Sequence, residues 1–309
     1  MSKTPGWKIR AITRDPDGGK GKVLAAQGFE VVRADFDDEE SLVKAFEGAH
    51  AVFAVSNWWE HLFRGKSADE CGPLEEEQGI NLARAAARTS SLEHCIWSSE
   101  PSAARVYPAG VGVVKAPHMD FKNKVNERIK SELPLLAART TFLWLGYYPQ
   151  NMAFFPCLIL TFHPALGKYV QTVASAPDAK VLLASDVTVN TGIWVRQVLA
   201  AGHRAQRSRI ANVVLERWTF QQMMDEWSLI TGKPGVYVQC TAEAYERLWG
   251  PVGAELALQF KLGELCDPWA ETTGEFLTAE ELRINDKEVV GFAGTIKKFH
   301  AMGIWNKAK

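Results

Sequence analysis

The sequence predicts a doubly wound α/β fold, in which a parallel β-sheet carries helices on both faces. Two observations in the first half of the chain support this prediction. The strand-like segments are short apolar runs without alternating polar residues, as expected for strands that are buried on both faces. Helix-like segments separate these runs, and strands that alternate with helices form parallel sheets through crossover connections.

The predicted strands of this sheet are short and rich in β-branched or aromatic residues. They lie near residues 8–13, 29–34, 50–55, 94–98 and 140–145. Helix patterns occupy the intervals, near residues 23–27, 41–46, 74–88 and 120–133. Gly28, Gly48 and Pro134 mark the ends of three of these helices, because glycine and proline favour helix termination.

The alternation of strands and helices fades beyond about residue 147. Longer helical and aromatic stretches follow, with turn signals at Pro156, Gly167 and Pro177. We therefore predict two parts. Residues 1–150 form the sheet domain, and residues 151–309 form a smaller, mostly helical region that partly returns to it.

Composition and charge restrict the classes of function. The chain has 309 residues, of which 47% are hydrophobic and 23% are charged, as in ordinary globular proteins. Its net charge of −1 provides no general attraction for nucleic acid or an anionic membrane. The five cysteines form no CxxC pair, so neither a disulfide framework nor a thiolate metal site is predicted. Since no apolar stretch approaches ~18 residues, we expect a cytoplasmic protein without nucleic-acid or membrane partners.

The first predicted strand ends at Arg14, and the sequence Thr-Arg-Asp-Pro at its end is typical of the second strand of a dinucleotide-binding unit. In a doubly wound sheet that binds a dinucleotide, the end of the second strand faces the adenosine ribose, and an arginine there accommodates a 2′-phosphate. Arg14 therefore favours NADP over NAD, with a solvated arginine as the alternative. The next segment, DGGKGK, lacks the spacing of a phosphate-binding loop. We predict a flexible turn there, whose Lys20 and Lys22 add positive charge near Arg14.

Four segments carry a family resemblance that covers most of the chain and is strongest up to about residue 152. They are KIRAITRDP, GFEVVRADFDDEESLVKAFEGAHAVFAVSNWWE, HMDFKNKV and YYPQN. In order and spacing they resemble the NmrA-like branch of the atypical short-chain dehydrogenase superfamily. The resemblance implies a Rossmann-like domain that binds NADP(H). It also implies an oxidoreductase that acts on a small-molecule substrate, and many members of this branch take part in fungal secondary metabolism. It also allows a non-catalytic regulator that senses NADP and binds a protein partner, or a scaffold without cofactor.

The resemblance also implies candidate cofactor contacts. It places Arg14 at the 2′-phosphate, and Asp35 and Phe36 beside the adenine. Ser56 and Asn57, which follow the third predicted strand, approach the inner ribose and the nicotinamide in this interpretation. Two alternatives stay open, because Asp35 also stands where a strand ends and Asn57 stands where a helix cap is expected.

The candidate catalytic residues lie in and near the segment PHMDFKNKV. Short-chain dehydrogenases use a Tyr-x-x-x-Lys pair on one helix face, where the lysine lowers the pKa of the tyrosine and holds the nicotinamide ribose. Here His118 stands four residues before Lys122, and the tyrosine is absent. Lys122 is the predicted ribose contact, and His118 is a candidate proton donor, with a cap or surface role as its alternative. Tyr148, after the fifth predicted strand, is another candidate donor.

Candidate substrate contacts follow three predicted strands at their carboxyl ends, where open α/β sheets bind ligands. They are Trp58, Ser98, Ser99 and Tyr147. Trp58 and its neighbour Trp59 point in different directions, so one is expected to pack inward and the other to flank the ligand. Strand termination is the alternative for the serines, and core packing for the tyrosine. Since the sequence contains no HExxH or GxSxG motif, neither a metal site nor a serine-hydrolase site is predicted.

One departure from the resemblance concerns the start of the sequence. NmrA-like proteins begin with a strand, a G-x-x-G-x-x-G turn and a helix, whereas the first strand here corresponds to their second. The absent strand belongs between the predicted strands at residues 8–13 and 50–55, so we expect a gap there. The glycine turn supplies backbone N–H groups to the pyrophosphate. We therefore also expect the chain to bind NADP(H) weakly. Two explanations for the absent segment stay open, a truncated start of the sequence and a loss of the cofactor site.

Overall fold

The computed structural model describes residues 4–103, 115–267 and 276–306. The strands of the described residues are β1 (Arg10–Thr13), β2 (Glu30–Arg33), β3 (Ala51–Ala54), β4 (His94–Ser99), β5 (Thr140–Leu145), β6 (Thr161–His163), β7 (Lys168–Val173), β8 (Lys180–Leu183), β9 (Arg209–Val213), β10 (Glu216–Thr219), β11 (Gly235–Gln239) and β12 (Phe276–Leu277). Their α-helices are α1 (Gly19–Ala26), α2 (Glu39–Phe46), α3 (Trp58–Phe63), α4 (Ala68–Arg88), α5 (Pro117–Glu132), α6 (Pro134–Ala137), α7 (Asn151–Phe154), α8 (Val187–Ala201), α9 (Phe220–Thr231), α10 (Ala242–Trp249), α11 (Pro251–Leu265) and α12 (Phe292–Ala301). None of these helices combines the length and the hydropathy needed to cross a membrane.

Five parallel strands form the central sheet, in the order β12, β9, β5, β4, β3. β4, with the sequence HCIWSS, pairs with β3 on one side and β5 on the other, and all six of its residues are buried. Such burial explains why this strand shows no polar alternation. The predicted parallel sheet is therefore confirmed.

Helices cover both faces of the central sheet. Successive residues of β4 point to opposite faces, so Trp97 packs with Ile80 of α4 on one face. Ile96 packs on the other face, in the same cluster as Trp194 of α8. This arrangement confirms the doubly wound α/β fold.

The first two strands form a separate parallel pair. β1 pairs with β2, and within the described ranges no ladder joins β1 to β3. A cavity of about 870 Å³ separates these two strands, and its lining includes Ile9 and Ile12 on one side and Val52 and Phe53 on the other. The predicted gap between the first and third strands is confirmed.

The pair formed by β1 and β2 is less buried than the central sheet. No residue of β1 is fully buried, and α1 buries only Gly21. The sequence of α1, GKGKVLAA, explains this, because it has no apolar stripe along one face. The flexible turn predicted over DGGKGK is wrong, because α1 already begins at Gly19. Gly21 permits this close packing, since a Cβ there would lie 2.1 Å from the carbonyl oxygen of Pro16.

Residues beyond 150 both extend the central sheet and form a second core. β9 and β12 join the far edge of the central sheet. β11, β7 and β6 form a three-stranded sheet, while β8 pairs antiparallel with β10. The sequence analysis did not identify these smaller sheets, although KYVQTV in β7 alternates between more and less buried residues, as strands do. Large buried side chains fill the second core, among them Phe220, Trp227, Tyr245 and Phe292.

Candidate functional site

A cavity of about 570 Å³ lies at the carboxyl ends of β3, β4 and β5. Parallel strands end at the same edge of a sheet, so residues that are distant in sequence meet there. Most of the predicted site residues line this cavity: Ser56, Asn57, Trp58, Ser98, His118, Lys122, Tyr147 and Tyr148. Four predicted residues are not part of its lining: Arg14, Asp35, Phe36 and Ser99. The structure thus assembles the predicted catalytic residues and separates them from the predicted adenosine contacts.

Lys122 belongs to a buried cluster beside the cavity. Its ammonium group donates to Glu75 Oε1 at 2.6 Å and to Ser56 Oγ at 2.7 Å. The Ser56 hydroxyl in turn donates to Glu75 Oε1 at 2.7 Å. Because Glu75 is fully buried and Lys122 is 8% exposed, each charge compensates the burial of the other. The third N–H of Lys122 makes only a 3.5 Å contact with the Ser56 carbonyl, so it is available to a ligand hydroxyl.

Glu75 is a site residue that the sequence analysis missed. It lies in the run LEEEQ of α4, where the next two glutamates pair instead with Arg128 and Arg84. The helical spacing of Glu75 could have identified it as a buried residue. Glu75 is four residues after Cys71 and four before Gly79, and both of these residues are buried. A carboxylate on the buried face of a helix requires a partner, which here is Lys122.

His118 lies at the start of α5, beside a second buried carboxylate. Its backbone N–H donates to Glu255 Oε1 at 2.9 Å, and its Nδ1 lies 3.4 Å from the same oxygen. The imidazole also contacts Trp58 and Trp59, with ring centroids 6.3 and 5.2 Å away. His118 and Glu255 are only 5% and 2% exposed. The backbone of His118 therefore anchors the helix start, while its side chain lines the cavity. The sequence analysis did not identify Glu255.

Glu100 follows β4 and lines the same cavity. Burial raises the pKa of its carboxyl group to about 7, although the positive charges of His118 and Lys122 partly offset this effect. The sequence analysis considered only the serines at this strand end. A carboxyl group that titrates near neutral pH can hold or release a proton. Glu100 thus lines the cavity together with His118 and Lys122, while Glu75 and Glu255 lie behind these two basic side chains as their partners.

The two tyrosines that follow β5 are less suited to donate protons than the sequence suggests. Burial raises the pKa of both phenols, and the charge of Glu100 raises that of Tyr148 further. The Tyr147 hydroxyl is buried and has no hydrogen-bond partner among the described residues. Because a raised pKa makes a phenol a weaker acid, these two tyrosines are weaker candidates for the proton donor.

The two serines that end β4 differ in their surroundings. Ser98 lines the cavity. The Ser99 hydroxyl instead donates to Asn126 Oδ1 of α5 at 2.8 Å, and Ser99 is fully buried. Since successive side chains of a strand point to opposite faces, one serine of the pair faces the cavity. Ser98 is therefore the residue of the two that can orient a substrate.

The segment NWWEH forms the end of the β3 loop and the start of α3. Asn57 occupies the N-cap position of α3, but its side chain makes no capping hydrogen bond and lines the cavity. Trp58 is fully buried and stacks on Phe121 with a centroid separation of 6.1 Å. Trp59 is partly exposed and also lines the cavity. We expected one tryptophan to pack inward and the other to flank the ligand. The difference in burial agrees with this, since Trp58 packs inward and Trp59 is the more exposed of the two.

The predicted adenosine contacts lie at the carboxyl ends of β1 and β2. Arg14 pairs with Glu60 of α3, with Nη2 and Oε1 2.6 Å apart, and half of its side chain is exposed. Asp35 accepts from the backbone N–H of Asp37 at 3.1 Å, so it stabilises the turn after β2. Phe36 packs against the core on one face of the central sheet. A 2′-phosphate at Arg14 has to compete with Glu60 for the guanidinium group.

Comparisons with other proteins identify relatives from fungi. The NmrA-like family oxidoreductase hkm9 of Aspergillus hancockii is 30% identical over 151 residues, which are 49% of this chain and 42% of that protein. The NmrA-like family oxidoreductase cpsB of Aspergillus campestris is 26% identical over 309 aligned positions, covering 92% of this chain and 85% of that protein. The match therefore spans less than half of the first relative and most of the second.

Solved structures share the fold at low sequence identity. NmrA, a negative transcriptional regulator, in complex with NADP has a TM-score of 0.71 at 20% identity, covering 97% of this chain and 90% of that chain. Triphenylmethane reductase of Citrobacter sp., complexed with NADP(H), has a TM-score of 0.66 at 19% identity over 96% and 91%. The NADPH-dependent quinone oxidoreductase QOR2 of Escherichia coli has a TM-score of 0.60 at 20% identity over 97% and 93%. These likenesses establish the Rossmann-like fold.

A family model decides the assignment of the chain. The model of the NmrA-like family matches residues 1–273, which include the β1–β2 pair, four of the five strands of the central sheet and the lining of the cavity. The resemblance noted from the four sequence segments is thereby confirmed. The chain belongs to the NmrA-like family.

Proposed function

We propose that the chain is an NADP(H)-dependent oxidoreductase that transfers a hydride between the cofactor and a small organic molecule. The observation that carries this proposal is the buried ammonium group of Lys122, which reaches the cavity beside Ser56 with one N–H available to a ligand. A fixed cation of this kind suits the hydroxyls of a nicotinamide ribose. The oxidoreductase relatives and the reductase structures support the same class of reaction.

When bound, the cofactor supplies or accepts the hydride, and the chain determines where it lies. In this proposal Lys122 and Ser56 hold the nicotinamide ribose, with Asn57 beside the nicotinamide. Arg14 binds the 2′-phosphate after it leaves Glu60, and the residues that follow β2, Asp35 and Phe36, border the adenine. Residues 1–150 then form the cofactor-binding domain, and residues 151–309 contribute the substrate side.

The cavity favours a flat and mainly apolar substrate. Aromatic side chains contribute much of its lining: Trp58, Trp59, Tyr148, Phe155 and Phe260. Large aromatic surfaces bind other aromatic rings well, and Ser98 adds a hydroxyl that can orient a polar group of the substrate. We therefore assign the substrate to the class of aromatic or polycyclic metabolites, which fits a role in fungal-type secondary metabolism in the cytoplasm.

Removal of the Lys122 charge tests this proposal. Lys122→Met alone leaves Glu75 charged and buried without a countercharge, so the test uses the double variant Lys122→Met/Glu75→Gln. Without the ammonium group, NADPH binding should weaken by about 1.5–3 kcal/mol, and turnover should fall with it. Lys124→Met, on the exposed side of the same helix, is the matched control and should behave like the wild type.

The assay follows NADPH oxidation with two acceptors, the quinone menadione and the triphenylmethane dye crystal violet. Thermal melting checks that each variant is folded. Unchanged NADPH affinity in the folded double variant contradicts the role of Lys122. Absence of NADPH oxidation by the wild type with either acceptor contradicts the enzymatic proposal for these acceptor classes.

A non-catalytic NADP sensor that binds a protein partner is the second candidate function. The replacement of the expected tyrosine by His118 favours it, and NmrA itself is described as a transcriptional regulator. The two functions differ in what the cofactor does after binding. A sensor binds NADPH and NADP without turnover and captures its partner only in one cofactor state, whereas the oxidoreductase consumes NADPH.

A further inference from the structure

A buried pair formed by His118 and Glu255 joins elements that are far apart in the sequence. The two residues are separated by 137 positions, and Glu255 is the one charged residue in the apolar stretch PVGAELAL. His118 Nδ1 and Glu255 Oε2 are both buried, and neither has a hydrogen-bond partner among the described residues. The 3.4 Å approach of Nδ1 to Glu255 Oε1 is therefore the interaction available to this ring nitrogen among the described residues.

We propose that Glu255 is a positioning residue that holds the His118 ring with Nδ1–H toward its carboxylate, so that Nε2 faces the cavity and delivers a proton to the substrate. This inference rests on the proposed oxidoreductase function. The two ring nitrogens lie on opposite sides of an imidazole, so a carboxylate at Nδ1 leaves Nε2 for the space that His118 lines. Contacts with Trp58 and Trp59 restrict rotation of the ring.

Three charged side chains lie around the His118 ring. Glu255 of α11 faces it directly, Glu100 lies across from α5 after β4, and Lys122 lies one helical turn further along α5. The Lys122 charge is already compensated by Glu75. The Glu255 carboxylate is therefore free to compensate an imidazolium, as carboxylates do for catalytic histidines in other enzymes.

The proposed step balances in atoms and charge for a carbonyl-type substrate. NADPH would supply the hydride for the new C–H bond at the carbonyl carbon, and the π-electron pair of the carbonyl would move to the oxygen. The Nε2–H bond of the His118 imidazolium breaks, and its proton forms the new O–H bond. The substrate is reduced by two electrons and the cofactor is oxidised to NADP⁺. His118 keeps its Nδ1–H toward Glu255 and takes a new proton from water.

A purely structural role for Glu255 is the competing explanation, because its carboxylate also accepts from the backbone N–H of His118 at the start of α5. Two acceptors separate the explanations. Reduction of menadione leaves an oxyanion that needs a proton, whereas crystal violet is a carbocation that a hydride alone converts to its neutral leuco form. A proton-delivery role affects the first reaction only, while structural damage affects both.

The first test compares Glu255→Gln with wild type on both acceptors. Glutamine keeps an acceptor for the helix start but removes the negative charge, so kcat for menadione should fall ~10- to 100-fold. We expect kcat for crystal violet and KM for NADPH to stay within about twofold, because neither depends on a proton from His118. Glu264→Gln, on the same helix, removes a carboxylate that binds Ser175 and is the control. Equal losses for both acceptors, or an unchanged kcat for menadione, overturn the proposal.

The second test needs neither cofactor nor activity. Nitrogen NMR shifts of the His118 ring, recorded where the ring is neutral, report which nitrogen carries the proton. Wild type and Glu264→Gln should show the Nδ1–H tautomer, and Glu255→Ala should lose this preference. An Nε2–H tautomer in the wild type overturns the positioning role. The Nδ1–H tautomer in a protein that oxidises no NADPH supports the positioning of His118 and removes only the oxidoreductase function.

Discussion

Two parts of the α/β unit have similar sequence patterns but different surroundings. β4 has a partner strand on each side, and all of its residues are buried. β1 has a partner strand on one side, and none of its residues is fully buried. A parallel strand is fully buried when strands flank it and helices cover both faces. An apolar run therefore predicts a strand, but the neighbours of that strand determine how much it stabilises the fold.

The same division separates the candidate site into two halves. Lys122, His118 and Ser98 project from the central sheet and the helices packed on it, where the backbone is well buried. Arg14 projects from the β1–β2 pair, across the gap, and its present partner is Glu60. The core thus holds the proposed catalytic residues in place before a ligand binds. At the proposed adenosine site, by contrast, Arg14 has to give up its ion pair with Glu60 in order to pair with a phosphate.

The largest expected effect concerns the stability of the two strands. Ile96 of β4 is 1% exposed, whereas Ile12 of β1 is partly exposed beside the gap. Ile96→Ala should cost about 2–5 kcal/mol in unfolding free energy, because it truncates a side chain that is excluded from solvent and packed in a core cluster. Ile12→Ala should cost roughly 1 kcal/mol, since solvent already reaches this side chain. Urea denaturation of both variants measures the difference, and equal costs would show that the two regions are equally packed.

The pH dependence of stability gives the next effect. Burial raises the pKa of Glu100 from 4.5 to about 7, so between these values the folded state keeps a proton that the unfolded state releases. Stability should therefore fall as the pH rises through this window, by an amount on the order of 3 kcal/mol. Glu100→Gln removes the titrating group, so the variant should be more stable than the wild type at about pH 8.

A control for this prediction comes from the other region. Glu30→Gln changes a side chain of β2 that is 55% exposed, and its stability profile should follow that of the wild type. Denaturation of all three proteins across the pH range makes the comparison. A Glu100→Gln profile that parallels the wild type would show that this carboxyl group titrates near its ordinary value in the folded protein, contrary to the prediction.

The sequence allowed most of the strand framework and the meeting of Lys122, His118 and Ser56 to be predicted. This part follows from local patterns, because apolar runs define strands and parallel strands bring their carboxyl ends together. The gap beside β1 was also predicted, from the strand order that the family resemblance implies. The strand framework requires no knowledge of how a helix is rotated on the sheet, whereas the roles of Lys122 and His118, which lie on α5, were predicted from the family resemblance.

Glu75 and Glu255 could not be predicted in the same way. Each lies on a helix, and its function depends on which residue of another element the buried face meets. The pairing of Glu75 with Lys122 joins α4 to α5, and that of Glu255 with His118 joins α11 to α5. Local sequence shows that a carboxylate is on the apolar side of a helix, but tertiary packing alone selects its partner.

Calorimetric titration of NADPH and NADH into the wild type, Arg14→Ala and Glu60→Gln tests the proposed cofactor and the role of Arg14 most directly. We expect the wild type to prefer NADPH, and Arg14→Ala to weaken the binding of NADPH by about 1.5–3 kcal/mol while leaving the binding of NADH unchanged. Glu60→Gln should bind NADPH at least as tightly as the wild type, because it releases the Arg14 guanidinium group from its ion pair. Equal losses for both nucleotides in Arg14→Ala, or no binding of NADPH to the wild type at millimolar concentration, would contradict the proposed cofactor and the role of Arg14.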